Sequence, residues 1–211
     1  MPDRKMTPLY PIIDKETLTT RGVHVADFAR ELRDAGVTLL QYRDKTGTPQ
    51  EILQTAAEIA AVFAGVEATL ILNDRADLAA LAGWNGVHVG HLDLPPAAVR
   101  RVLGAGRMIG VSTHNDEQVR VADASEADYI AVGPVFATST KLDAEPVVGL
   151  EGVRRARALT AKPIVAIGGI NRENARAVIE AGADSIAVIG GLFSGGESPC
   201  KVARDFLEFL R

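Results

Sequence analysis

One pattern runs the length of the chain: a short β-rich apolar run, a segment with helical spacing, then another run. Eight such runs stand at residues 8–13, 39–43, 69–72, 86–89, 108–111, 129–132, 163–167 and 185–189. Several are apolar without interruption, as in Ile164-Val165-Ala166-Ile167 and Ile186-Ala187-Val188-Ile189. Such runs mark strands covered on both faces, the habit of parallel sheets flanked by helices. Residues 25–35 place Phe28, Ala29 and Leu32 on one helical stripe, and residues 49–63 do the same with Ile52, Ala56, Ile59 and Phe63. Pro95-Pro96 opens a helix at 96–103, since proline is tolerated in a first turn. Asn115 and Asn171 open segments 115–122 and 171–180, because Asn caps helix N-termini. Gly36 and Gly182 follow helix ends, and residues 199–210 form an eighth helix. Eight units in 211 residues average about 26 each, near the least a βαβ crossover needs. This alternation predicts a closed (β/α)8 TIM barrel, α/β in class, as one domain over residues 1–211. An open doubly wound sheet would need a glycine-rich turn after the first strand. Asp14-Lys15-Glu16-Thr17 offers none.

Composition narrows the function. The chain carries 23 Lys+Arg against 27 Asp+Glu, a net charge of −4, which argues against a nucleic-acid partner held by backbone charge. An apolar fraction of 47% supplies the surface that a folded core needs. No apolar run approaches the roughly 20 residues needed to cross a bilayer, so no membrane partner is expected. The start, Met1-Pro2-Asp3-Arg4-Lys5-Met6, lacks the apolar stretch of a signal peptide. With the lone Cys200 unable to form an internal disulfide, the expected location is the cytoplasm.

Barrels of this kind build their sites at the C-terminal ends of the strands. There the chain places Gln41-Tyr42-Arg43-Asp44-Lys45, Asn73-Asp74, Gly90-His91-Leu92-Asp93, Ser112-Thr113-His114, Gly133 to Lys141, Gly168-Gly169 and Gly190-Gly191. Strand alternation puts Gln41, Arg43 and Lys45 on one face. Arg43, Lys45 and Lys141 suit a polyanion. Asp74 and Asp93 on neighbouring strands suit a Mg²⁺ that joins carboxylates to phosphate oxygens. The glycines after strands seven and eight suit a phosphate held by backbone N–H groups. Two anion sites are therefore expected, a metal-assisted polyphosphate site on strands two to four and a monophosphate site on strands seven and eight. Simpler roles stand beside these. Asp74 and Asp93 can cap the helices that follow them. Gly168-Gly169 can serve a tight turn. His114 can be a satisfied polar group, and His88, inside strand four, a wall residue of the barrel.

Taken together, the segments Leu40-Gln41-Tyr42-Arg43-Asp44-Lys45, Leu72-Asn73-Asp74-Arg75, Gly86-Val87-His88-Val89-Gly90 and Asp93-Leu94-Pro95 resemble the thiamine phosphate synthase family. So do Gly110-Val111-Ser112-Thr113-His114, Asp128 to Phe136, Thr138-Ser139-Thr140-Lys141 and Ala166-Ile167-Gly168-Gly169-Ile170. The resemblance spans nearly the whole chain, in order. It implies a transferase that joins hydroxymethylpyrimidine diphosphate to hydroxyethylthiazole phosphate, giving thiamine phosphate and pyrophosphate, with Mg²⁺ as cofactor. Carried over, it assigns Gln41, Arg43, Lys45 and Asn73 to the diphosphate and Asp74 and Asp93 to the metal. Ser112 and Lys141 become further contacts to the pyrimidine diphosphate. Thr138 and Thr140 meet the thiazole, and Gly169, Ile189 and Gly190 its phosphate. Arg43, Lys45, Ser112 and Lys141 are the residues expected to assist the chemistry, and a homo-oligomer is compatible with the resemblance. Three positions depart from the pattern: His91 stands where Gln is usual, Ala137 where Pro is usual, and Gly190 where Ser is common.

The resemblance also implies a dissociative substitution, with residues 136–146 as the expected lid. Competing readings are a thiazole tautomerase with His114 as acid-base, a phosphate-sugar epimerase or isomerase, and a non-catalytic sensor of thiazole phosphate. A tautomerase has no need of the Gln41-Arg43-Lys45 set or of the carboxylate pair.

Overall fold

The computed structural model describes residues 6–138 and 146–210. Eight parallel strands close into a barrel in sequence order, each paired with the next and the eighth with the first. They are β1 (Leu9–Asp14), β2 (Leu39–Arg43), β3 (Thr69–Asn73), β4 (Gly86–Val89), β5 (Met108–Thr113), β6 (Tyr129–Val132), β7 (Ile164–Ile167) and β8 (Ser185–Val188). All eight fall on the expected runs. The barrel is therefore the eightfold alternation of the sequence made closed.

The intervening helices are α1 (Lys15–Thr20), α2 (Val25–Asp34), α3 (Pro49–Val62), α4 (Ala76–Leu81), α5 (Pro96–Leu103), α6 (Asp116–Asp123), α7 (Gly149–Leu159), α8 (Ala175–Glu180) and α9 (Pro199–Phe209). A 3₁₀ segment, Gly190–Gly196, kinked at Phe193, Ser194 and Gly195, follows β8. The sequence pattern predicts one helix between β1 and β2, whereas two are found. The first turn of α1 is held by Asp14, whose carboxylate accepts from the Thr17 N–H (2.9 Å) and hydroxyl (2.7 Å). Asn115 caps α6 as expected, accepting from the Gln118 N–H. Asn171 does not begin α8. It accepts from the N–H groups of Glu173 and Asn174 in the turn before it, and the helix starts at Ala175.

Side-chain alternation divides the strands between two cores. Odd and even positions point to opposite faces. Tyr10, Ile12, Leu39, Ile71, Tyr129, Ala131, Val165 and Ala187 fill the barrel interior. Ile13, Leu40, Leu72, Val87, Val89, Ile130, Ala166 and Ile186 pack outward against Phe28, Leu32, Ile59, Val99, Val153 and Phe206 of the helices. The interior parity continues upward through Gln41, Arg43, Asn73, His88 and Ser112. The filled interior thus gives way, at the C-terminal mouth, to a ring of polar side chains.

Candidate active site

The mouth is built from consecutive strand ends. On β1, Asp14 is almost wholly buried and takes the Arg43 guanidinium of β2 at 2.5 Å. The pair crosses the β1–β2 ladder, where Asp14 and Arg43 are register partners. Asp14 thereby caps α1 and orients Arg43 with one carboxylate. Asp44 shapes the next turn. It accepts from the Tyr42 hydroxyl (3.0 Å) and from the N–H groups of Thr46 (3.0 Å) and Gly47 (2.7 Å). That turn carries Lys45 across to Asp74, with which it forms an ion pair.

Asp74 has φ +59°, the one positive φ among the described non-glycine residues. Its N–H donates to the His88 carbonyl at 2.7 Å, which ties the end of β3 to β4. A left-handed residue outside glycine is uncommon, and Asp is among the few types that adopt it. Neither simple capping role is realised. α4 is entered through Arg75 and α5 through Pro95, neither with a side-chain cap. The Asp93 carboxylate instead accepts from the Gly90 N–H at 2.7 Å. It lies close enough to Asp74 to act on that group's ionisation. Burial holds the Asp74 carboxyl above its ordinary range, Lys45 draws it back down, and Asp93 pushes it up again.

Two acidic groups held this close, with a lysine drawn onto one of them, form a site that gains from a cation. Among the described residues no cluster of three or more His, Cys, Asp or Glu is present. Asp74 and Asp93 could hold Mg²⁺, an ion commonly bound by one or two carboxylates while water and substrate phosphates complete its shell. Beside the pair, the Asn73 amide nitrogen is buried with no hydrogen-bond partner. An orphaned buried donor is costly unless a ligand satisfies it.

The other expected residues divide three ways. Gln41 is 3% exposed and turns its amide into the barrel, donating to the Tyr10 hydroxyl at 3.0 Å. Ser112 faces His88 Nε2 at 2.9 Å. His88 is the wall residue expected, bonded on its other side to the Tyr129 hydroxyl at 3.0 Å. His114 is the satisfied polar group expected: its Nδ1 is 2.6 Å from the Gly133 carbonyl oxygen. The His91 ring meets it edge-on, with centroids 6.1 Å apart. Thr138 stands half-buried on the loop after β6. Thr140 and Lys141 lie outside the described residues, as does most of the expected lid.

At the far side of the mouth, Gly169 has φ +64°, and a Cβ there would come within 2.6 Å of the Ala137 carbonyl oxygen and 2.7 Å of Phe136 Cβ. Its role is therefore close approach as well as a turn. The Asn174 amide donates to the Gly169 carbonyl at 3.0 Å and fixes the loop. Gly191 packs against the Ile170 carbonyl, so the loops after β7 and β8 meet and bring Gly169, Ile189 and Gly190 to one place. The 3₁₀ segment is pinned from outside. Phe193 stacks on Phe28 of α2, centroids 5.2 Å apart, beneath the Arg21 guanidinium.

Comparison with known proteins identifies the family. A family model described as "Thiamine monophosphate synthase" matches residues 9–192. The chain belongs to that family. It is 50% identical over 208 residues to the thiamine-phosphate synthase of Koribacter versatilis, covering 98% of this chain and 97% of the relative. It is 38% identical over 182 residues to that of Methanosarcina mazei, covering 86% and 75%. The solved thiamine phosphate pyrophosphorylase of Pyrococcus furiosus superposes with a TM-score of 0.85 at 30% identity, covering 98% of both chains. The chain is accordingly an enzyme of the transferase class, and the tautomerase and sensor readings have no support. None of the described helices is long and apolar enough to cross a membrane.

Proposed function

We propose that this thiamine-phosphate synthase joins hydroxymethylpyrimidine diphosphate to hydroxyethylthiazole phosphate at the mouth of the barrel, by dissociative substitution. The observation that carries this reading is the buried, unpartnered Asn73 donor beside the Lys45–Asp74–Asp93 cluster and the oriented Arg43. These groups ask for a polyanion. Arg43, Lys45 and Asn73 bind the diphosphate, and Asp74 and Asp93 would hold Mg²⁺. When bound, the ion supplies neutralisation of charge developing on the leaving diphosphate.

The reaction breaks the bond between the pyrimidine methylene carbon and the diphosphate oxygen, and the electron pair leaves with pyrophosphate. The methylene cation that remains is stabilised by the amino group of its own ring. The thiazole nitrogen then supplies the pair that forms the new C–N bond. No protein nucleophile is needed. Arg43 and Lys45 stabilise the leaving group electrostatically, the effect that preorganised charge provides best. Gly169, Ile189 and Gly190 offer backbone donors to the thiazole phosphate, and Thr138 contacts the thiazole, the role the resemblance also assigns to Thr140. Ser112 contacts the pyrimidine diphosphate; Lys141, which the resemblance assigns to the same substrate, lies outside the described residues.

The test is a turnover assay with both substrates and Mg²⁺, measuring thiamine phosphate and pyrophosphate, with an EDTA control. Stoichiometric, EDTA-sensitive formation of both is expected. Binding of thiazole phosphate with no product would overturn the reading.

A further inference from the structure

A single hydrogen-bonded chain crosses the barrel interior. The Gln41 amide donates to the Tyr10 hydroxyl (3.0 Å), which meets the Tyr129 hydroxyl (3.0 Å). The Tyr129 hydroxyl meets His88 Nδ1 (3.0 Å), and His88 Nε2 meets Ser112 Oγ (2.9 Å). Its five residues come from β2, β1, β6, β4 and β5. Both ends are residues assigned above to the substrate, and the three between them are buried.

The chain is built into the packing. A Cβ at Gly110 would fall 2.0 Å from the Tyr129 ring. Glycine two residues before Ser112, on the same face of β5, is what lets that ring lie across the strand. Tyr10 meets the ring edge-on with centroids 6.1 Å apart, and His88 stacks on it at 5.6 Å. Burial keeps both phenols protonated, since it raises their ionisation well above the ordinary tyrosine range.

A phenol has one proton to donate. With Gln41 donating to Tyr10, both buried phenol protons find acceptors within the chain when the Tyr10 proton goes to Tyr129 and the Tyr129 proton to His88 Nδ1. The imidazole then carries its proton on Nε2 and donates to Ser112 Oγ. Ser112 has its own O–H left to give. The reverse sense needs the Gln41 amide turned over and spends the Ser112 proton on His88.

We propose that Tyr10, Tyr129 and His88 are positioning residues whose hydrogen-bond chain makes Ser112 a donor to an acceptor atom of the pyrimidine diphosphate. This rests on the reading of Ser112 as a contact to that substrate. The substrate's acceptors, phosphate oxygens and ring nitrogens, are satisfied only by a donor. Ser112 reversed would present lone pairs to them.

Two measurements test the chain and the reading separately. The first is ¹⁵N NMR of the histidine side chains in the ligand-free protein, with the His88 signals assigned by their loss in His88→Asn. A proton on Nε2 and a bare Nδ1 are expected; a proton on Nδ1 would overturn the proposal whatever the kinetics. The second compares Ser112→Ala, Tyr129→Phe and Tyr10→Phe. Losing a hydrogen bond to a charged group typically costs an amount worth about tenfold in affinity. Ser112→Ala and Tyr129→Phe should therefore each raise KM for the pyrimidine diphosphate by about tenfold and leave KM for thiazole phosphate unchanged. Tyr10→Phe should act in the same direction, less strongly. A purely structural tyrosine would not split the two KM values. Unchanged KM in Tyr129→Phe alongside a raised KM in Ser112→Ala would overturn the chain's role. Unchanged KM in Ser112→Ala would overturn the proposal through its reading of Ser112, with the tautomer still reporting on the chain.

Discussion

Asp14 and Arg43 are joined across the β1–β2 ladder by an ion pair in which the carboxylate is 2% and the guanidinium 12% exposed. The same carboxylate holds the first turn of α1. Removing one partner of a buried pair leaves the other charge uncompensated, at a typical cost of about 3–5 kcal/mol. Among the described residues, Asp14→Ala leaves Arg43 only the exposed Glu16 carboxylate at 4.0 Å. It should therefore destabilise by up to that order in urea unfolding and should raise KM for the pyrimidine diphosphate, because Arg43 loses its orientation. Retention of both wild-type stability and wild-type KM would refute the assignment.

Asp93 is exposed, and its carboxylate accepts from the Gly90 N–H. Asp93→Ala should cut turnover by orders of magnitude with little effect on thermal unfolding. Near-normal turnover at saturating Mg²⁺ would remove Asp93 from the metal.

Gly169 combines φ +64° with no room for a Cβ. Backbone strain of this kind costs on the order of 1–3 kcal/mol. Gly169→Ala should lower the unfolding midpoint and raise KM for thiazole phosphate, leaving KM for the pyrimidine diphosphate near its original value. Equal effects on both substrates would show that the loop does not belong to one anion site.

All three tyrosines of the chain, Tyr10, Tyr42 and Tyr129, are buried. Desolvation is the largest cause of the raised pKa at each. A raised folded-state pKa contributes stability that is complete below the unfolded value of about 10. The contribution falls as pH climbs from there toward the folded value, since the unfolded chain releases its protons first. Alkaline titration followed by ultraviolet absorbance should therefore show tyrosinate appearing together with the loss of circular dichroism. A tyrosine ionising in the folded protein would contradict this.

The barrel was legible because its strands are buried on two sides and read as uninterrupted apolar runs. The polar mouth was legible because strand parity carries Gln41, Arg43, Asn73 and Ser112 to one face. Asp14 was not, although it is the best-anchored acid of the mouth. In the sequence it looks like the start of a loop, and the signal that identifies it is Asp followed three residues later by Thr17, a capping pattern after a buried strand. The Tyr10–Tyr129–His88 contacts join residues up to 119 positions apart. Their register depends on barrel closure, which local patterning does not encode. Gly110 carried the clue, as a glycine inside a strand signals close approach by another group.

The left-handed backbone at Asp74 restricts what that position can become. Asn and Gly tolerate the same conformation, and neither bears a negative charge. Glu, the one replacement that keeps the charge, must strain the turn and reach further. Chance substitution at residue 74 can therefore silence the carboxylate in a protein that still folds, but has no easy route to exchanging it for another acid.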